Sequence, residues 1–274
     1  MNNRFKAPAV VFALLLTGFA LAQDPVADVE DTDETLKIAA LHALMAAPPE
    51  RALPLVTRVL EADNTHEVKE RALFVLSQIN RPEAGAQLLK VARRGDSELR
   101  LEAVRMIGIS GNPETLAELE VLYASGDEDL RASVLEAYLI AGDKDTVFRI
   151  AQNAGDADEF EAAVHMLGTM GAIAELRSLS QSNGFTEEII EALGIAGGDD
   201  VNATLLEIYR SADTEDIREA ALEGMLISGY DEGVIELYRA SDDVEEKRQL
   251  LETLSMMGSD GLMEIIDEAL SSGQ

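Results

Sequence analysis

The sequence predicts an all-α protein, an α-solenoid (superhelix) of about eight helical hairpins. A unit of about 30 residues recurs along the chain, and each unit has a helix-capping residue and a helix-ending residue in register. Between these two positions, apolar residues follow a helical spacing, and no long alternation typical of a strand occurs. One hairpin cannot bury its apolar face alone, so the hairpins are expected to stack on one another.

The residue predicted to end each main helix recurs every 26–32 residues: Pro48, Asn80, Gly111, Gly142, Gly171, Gly197, Gly229 and Gly258. Glycine suits this position because it adopts the left-handed conformation of a helix C-cap without a steric penalty. Fifteen residues earlier stand side chains that can accept hydrogen bonds from a first helical turn: Asp33, Thr65, Asp96, Asp127, Asp156, Ser182, Thr214 and Asp243. The two positions frame a helix of about 14 residues in every unit.

The positions eight, seven and four before each helix end are apolar in all eight units, as in Ala103-Val104-Ile107. This spacing places the three side chains on one buried stripe of a helix. A shorter apolar pattern, such as Leu116-Leu119-Leu122, predicts a second helix between successive main helices. Pro82 and Pro113 suit the first turn of that helix, where no backbone N–H is needed.

The unit that begins Asp127-Glu128-Asp129-Leu130-Arg131 and ends Ala141-Gly142 resembles a HEAT repeat. More narrowly, it resembles the bacterial HEAT-like repeat that is also found in phycobilin lyases. The resemblance extends over residues 33–272 and implies an α-solenoid. It says little about function, because such solenoids carry many unrelated roles.

The first residues resemble a signal peptide. Arg4 and Lys6 precede an apolar run that ends in Ala20-Leu21-Ala22, and this run of about 16 residues is shorter than the roughly 20 that span a bilayer. We therefore expect cleavage after Ala22, a periplasmic or secreted product, and no membrane insertion after cleavage. The predicted organisation is a signal peptide over 1–22, a flexible acidic segment over 23–32 and the repeat solenoid over 33–274.

The composition excludes several classes of function. The chain has 22 Lys and Arg against 52 Asp and Glu, a net charge of −30, and no Cys. Such a charge argues against nucleic-acid binding, and the lack of Cys excludes disulfides, thiolate metal sites and a Cys nucleophile. The three His show no spacing typical of zinc ligands. The sequence predicts neither an enzyme nor a cofactor or metal site.

A row of mostly basic residues lies eleven positions before the helix ends: Lys37, Lys69, Arg100, Arg131, Arg218 and Lys247. Two interpretations remain open. The row could hold an acidic partner, or each cation could pair with the Asp of an inter-helix turn and tie one repeat to the next. The resemblance to HEAT repeats and the strongly negative net charge favour the structural pairing.

A second row, six positions before the helix ends, is the predicted partner-binding surface. Its members are His42, Phe74, Arg105, Glu136, His165, Glu191, Glu223 and Glu252, and we expect Arg105, Glu136, His165, Glu191, Glu223 and Glu252 to contact the partner. The four glutamates form a strip that could receive a basic segment. The alternative interpretation is an ordinary solvated helix face.

The fifth and sixth units depart from the regular spacing and contain a group of large apolar residues: Phe160, Met166, Met170 and Phe185. These residues predict either an apolar pocket or a packing adjustment at a bend in the solenoid.

The sequence therefore predicts a monomeric, non-catalytic scaffold that binds a protein partner with a basic surface through its concave face. Two alternatives remain. The protein could bind a small ligand, or assist an enzyme, through a pocket near repeats five and six. Its acidic surface could instead serve solubility in a salty habitat.

Overall fold

The structure, a computed structural model, describes residues 29–271, with side chains from Asp33 onward. The predicted signal peptide lies outside this range. Within it the chain forms seventeen α-helices and no strand. The helices are α1 (Val29–Leu44), α2 (Pro49–Glu61), α3 (His66–Ser77), α4 (Pro82–Arg94), α5 (Ser97–Ser110), α6 (Pro113–Ala117), α7 (Leu119–Ser125), α8 (Glu128–Ala141), α9 (Lys144–Gln152), α10 (Ala157–Thr169), α11 (Ile173–Asn183), α12 (Glu187–Ala196), α13 (Asp199–Ser211), α14 (Glu215–Ser228), α15 (Asp231–Ala240), α16 (Val244–Met257) and α17 (Leu262–Ser271).

The helices form two layers. The inner layer consists of α1, α3, α5, α8, α10, α12, α14 and α16, which pack side by side along the array. The outer layer contains the helices between them, with α6 and α7 together taking one outer position. Each outer helix packs mainly on the inner helix that follows it, so an outer helix and the next inner helix make one hairpin. The predicted α-solenoid of helical hairpins is confirmed.

The core lies between the two layers and is built from the predicted apolar stripe. Ala103, Val104 and Ile107 of α5 are fully buried, and the corresponding residues of the other central inner helices are buried as well. The stripe is incomplete only near the two ends of the array, where Ala40 is exposed and Leu251 is half-buried. Burial of this continuous stripe supplies the main stabilisation of a repeat array.

Five of the predicted N-caps are confirmed by hydrogen bonds from first-turn amides to their side chains: Asp96, Asp127, Asp156, Thr214 and Asp243. The Asp96 carboxylate, for example, accepts from the Leu99 amide at 3.0 Å. Thr65 does precede α3, but its hydroxyl donates to the Glu34 carboxylate instead of capping the helix. These caps satisfy backbone N–H groups that have no partner within their own helix.

Two predicted N-caps are wrong. Asp33 lies inside α1, which begins at Val29, and Ser182 lies in the last turn of α11. The sixth inner helix begins later than expected, after Thr186, because α12 is only ten residues long. A constant distance of fifteen residues between cap and helix end therefore fails in this unit.

The helix-ending glycines have positive φ, as expected, at Gly111, Gly142, Gly171, Gly197, Gly229 and Gly258. Gly197 combines φ 63° with an extended ψ of −174°, so it is not a left-handed cap. The first two predicted helix ends are misplaced: α1 ends at Leu44 and α3 at Ser77, several residues before Pro48 and Asn80. These two units lack the glycine that defines the end of the later helices.

Small residues determine how closely neighbouring inner helices approach. A Cβ atom built on Gly108 of α5 would lie 2.8 Å from the Ala137 Cα of α8, and one built on Gly194 would lie 2.8 Å from the Gly224 Cα. At the α8–α10 and α14–α16 junctions the corresponding positions hold larger residues, among them Leu139 and Leu226, and these helices pack less closely. The junctions α8–α10 and α14–α16 are therefore less closely packed than α5–α8 and α12–α14, and they are called the wide junctions below.

Candidate partner-binding surface

The predicted partner-binding residues all lie on the inner layer. Arg105, Glu136, His165, Glu191, Glu223 and Glu252 belong to α5, α8, α10, α12, α14 and α16 in turn, and each is exposed. Each stands on the side of its helix opposite the buried stripe. The equal register places them in one row across the inner surface. The name "acidic strip" is used below for Glu136, Glu191, Glu223 and Glu252.

The cations of the outer layer are mostly engaged in ion pairs between neighbouring repeats. Pairs at 2.5–2.8 Å include Lys90 with Glu61, Arg93 with Glu118, Arg149 with Glu120, Lys144 with Glu175 and Arg239 with Glu264. The Lys144 ammonium also lowers the pKa of the Glu175 carboxyl. Exposed pairs of this kind contribute little stability each, but they neutralise acidic groups of the outer surface.

The inner surface has the opposite character around its centre. Neither α10 nor α12 contains a Lys or Arg, whereas together they contain six carboxylates. Three of these, Asp158, Glu161 and Glu188, line a groove of about 410 Å³ together with His165 and Glu191. The groove is bordered by α8, α10 and α12, and its apolar wall includes Leu135 and Met166. The structure thus brings two predicted site residues, His165 and Glu191, into one concave feature.

Sequence reasoning missed Asp158, Glu161 and Glu188. They occupy positions thirteen, ten and nine before their helix ends, and these positions share a helix face with the predicted row. Extending the helical register by two further turns toward the N-terminus would have identified them.

The two ends of the predicted row differ from its centre because their charges are paired. Arg105 makes two hydrogen bonds with Glu102, at 2.8 and 2.9 Å, and this carboxylate raises the pKa of the Arg105 guanidinium. Glu136 adds to that shift from the neighbouring helix. At the other end, Glu252 accepts from Arg248 at 2.5 Å. Attraction for a basic partner is therefore expected to be strongest between α8 and α14.

In the basic row eleven positions before the helix ends, Lys37 pairs with Asp33 within α1 at 2.7 Å, and Arg218 and Lys247 do not form the expected pairs with turn aspartates. Arg218 and Lys247 instead stand over the rings of Tyr209 and Tyr238, with distances of 6.0 and 5.2 Å to the ring centroids. These contacts join an inner helix to the outer helix before it. For Arg218 and Lys247, two of the six residues in the row, the contacts are structural but differ from the predicted pairing.

The predicted pocket residues of units five and six do not share one groove. Met166 lines the groove beside His165, and Phe185 lines a separate groove with Thr204 and Ile208. Phe160 and Met170 are half-buried and pack against the core. For Phe160 and Met170 the packing interpretation fits the structure.

Within residues 29–271, no group of His, Asp and Glu has a geometry that could hold a metal ion. In the same range, no helix is both long and apolar enough to cross a bilayer.

Part of the chain is similar to a known family of repeats. Residues 59–139, from the end of α2 into α8, match the family of HEAT repeats, which confirms the repeat type inferred from the caps and the apolar stripe. No curated protein matches the chain. Among solved structures, the chain is similar to the complex of CpcE and CpcF of phycocyanin lyase from a Nostoc species, with 17% identity and a TM-score of 0.38. That match covers 78% of this chain and 92% of the other.

Proposed function

We propose that this protein is a non-catalytic scaffold of the periplasm or the extracellular space that binds a basic partner protein through the inner surface of its solenoid. The observation that carries the proposal is the local excess of carboxylates on two central inner helices, α10 and α12. Most outer cations form ion pairs between repeats, whereas α10 and α12 offer carboxylates without any Lys or Arg.

An acidic concave surface of this kind has a clear physical use. Its field attracts a basic partner over distance and raises the rate of association, and salt weakens the attraction because charges are screened beyond about 8–10 Å at physiological ionic strength. The repeat architecture adds a long binding surface, since each repeat contributes one helix face to it.

The main test is charge reversal of the acidic strip. In the variant Glu136→Lys, Glu191→Lys, Glu223→Lys and Glu252→Lys, capture of a basic partner from a periplasmic extract is expected to fall by about tenfold or more, because attraction becomes repulsion. Capture by the unaltered chain is expected to fall between low and high salt. Bound proteins are identified and quantified by mass spectrometry.

The matched control makes the same change in net charge on exposed residues of the outer layer and of the last helix, α17: Glu83→Lys, Glu114→Lys, Glu207→Lys and Asp267→Lys. Both variants must retain the helical circular dichroism of the unaltered chain. Equal loss of capture in the two variants would mean that overall charge matters and the inner surface does not. Undiminished capture after reversal of the acidic strip would overturn the proposal.

Export is the second part of the proposal and rests on the basic and apolar pattern of residues 1–22. When the full chain is expressed in a Gram-negative host, the periplasmic product is expected to begin at Gln23. Intact-mass measurement of periplasmic and cytoplasmic fractions checks this. A product that stays in the cytoplasm with residues 1–22 attached would contradict export.

The groove beside His165 supports a second candidate, a small-ligand-binding or enzymatic accessory protein. Its volume of about 410 Å³ lies within the range of ligand sites. A small molecule that raises the melting temperature, with the rise lost in Met166→Ala, would favour this candidate.

A further inference from the structure

A second row of side chains crosses the inner surface two positions before the helix ends, and it is apolar on five inner helices but interrupted by Thr169 on α10. Its members are Ile109, Ile140, Ile195, Ile227 and Met256, called the apolar row below. Ile140 and Ile227 are 42% and 43% exposed, and Met256 is 68% exposed. Single exposed apolar residues are common on protein surfaces, but a row repeated in register over five inner helices is not scattered exposure.

The apolar row runs beside the acidic strip. Four residues separate the two on each helix, as in Glu191 and Ile195 of α12 or Glu223 and Ile227 of α14. Residues four apart stand one above the other on the same helix face. The inner surface therefore offers an acidic and an apolar band side by side on α8, α12, α14 and α16. Both are interrupted at α10, which carries His165 and Thr169 at these positions.

The distance between neighbouring inner helices matches the rise of seven residues in a bound α-helix. Packed helices lie about 8–10 Å apart, and seven residues of an α-helix rise about 10.5 Å. A helix lying along the apolar row from α12 to α16 would thus meet one apolar side chain on each successive inner helix if its own apolar stripe repeated every seven residues. At the wide α14–α16 junction, half-buried Leu226 and Met257 extend the apolar surface beside Ile227 and Met256.

We propose that the partner binds through an amphipathic α-helix whose apolar stripe packs on the apolar row and whose Lys and Arg residues face the acidic strip. This inference rests on the proposed function and specifies the chemistry of the partner. The apolar band requires the partner's apolar stripe, and the adjacent carboxylates require cations along one side of it.

The probe is a designed helical peptide of about 21 residues, three heptads long, with an apolar stripe and Lys along one flank. Two further peptides separate the contribution of the apolar stripe from that of the positive charge. One keeps the Lys residues and replaces the stripe with Ser, and the other keeps the stripe and replaces Lys with Glu. Fluorescence anisotropy measures the dissociation constant of each peptide for the mature chain. The complete peptide is expected to bind about tenfold or more tightly than either of the others.

The protein variant Ile227→Ser with Met256→Ser removes two members of the apolar row. It is expected to raise the dissociation constant of the complete peptide by about tenfold. The control is Val121→Ser with Met263→Ser, which removes two apolar residues of α7 and α17 that are at least as exposed as Ile227 and Met256, and it is expected to leave binding unchanged. Thermal melting of both variants confirms that each remains folded.

The outcomes distinguish this inference from the proposed function. If the peptide without a stripe binds as tightly as the complete one, and reversal of the acidic strip still abolishes binding, the inference is overturned and an acidic scaffold remains. If none of the peptides binds at low salt, the amphipathic-helix inference is overturned, and capture from the periplasmic extract decides separately on the scaffold.

Discussion

The substitution Tyr138→Ala is expected to lower the free energy of unfolding by about 3–5 kcal/mol, the range seen for truncation of a fully buried aromatic side chain. Tyr138 stands on the buried stripe of α8 and has no exposed surface. Its hydroxyl donates to the Leu116 carbonyl of outer helix α6 at 3.3 Å, so the residue joins the two layers in the middle of the array. Burial raises the pKa of this phenol. Chemical denaturation followed by circular dichroism measures the loss.

The control Tyr138→Phe keeps the ring and removes the hydroxyl, so it is expected to lower the unfolding free energy by only about 1 kcal/mol. The difference between the two variants gives the contribution of the ring. A loss below about 1 kcal/mol for Tyr138→Ala would show that α8 does not pack through the stripe that the fold requires.

The second large effect is expected at Gly108, in one of the close junctions between inner helices. In Gly108→Ala, the new Cβ would lie 2.7 Å from the Ala137 carbonyl oxygen, and backbone atoms cannot move aside as a flexible side chain can. Separation of α5 from α8 is expected to lower the unfolding free energy by about 2 kcal/mol and the melting temperature by about 4–8 °C. This outweighs the gain that alanine gives in an isolated helix.

The comparison variant is Gly155→Ala. A Cβ at Gly155 would meet only the end of the Glu159 side chain, at 3.4 Å, and its φ is not positive. This change is expected to leave stability unaltered or to raise it slightly, because it restricts the unfolded chain. Equal melting of Gly108→Ala and the unaltered protein would show that α5 and α8 are not in backbone contact.

Much of the fold could be predicted from the sequence because its signals are local. A capping side chain, a helix-ending glycine and a stripe of apolar residues each act within one helix, and their repetition reinforces them. The wrongly predicted helix boundaries lie where a capping or terminating residue is missing or where the length of an inner helix differs from the others. The first two units lack the terminal glycine, and α12 is shorter than the other inner helices, so Ser182 was assigned to the wrong helix.

The row of candidate binding residues was predicted from the same register, since its exposure depends only on the helix face. The electrostatic character of the site was less predictable. Which carboxylates remain unpaired depends on contacts between repeats, such as Arg149 with Glu120, and no pattern within one helix specifies them. The stacking of Arg218 and Lys247 on tyrosines is equally non-local.

The uneven junctions between inner helices give the array an uneven bending stiffness. The α5–α8, α10–α12 and α12–α14 junctions rest on backbone contact over small residues, whereas α8–α10 and α14–α16 are joined by larger side chains that can rearrange. Under a bending force, compliance is therefore concentrated at two positions, like hinges between stiffer segments. Bending of the array is then expected first at these two junctions, without unfolding of a repeat.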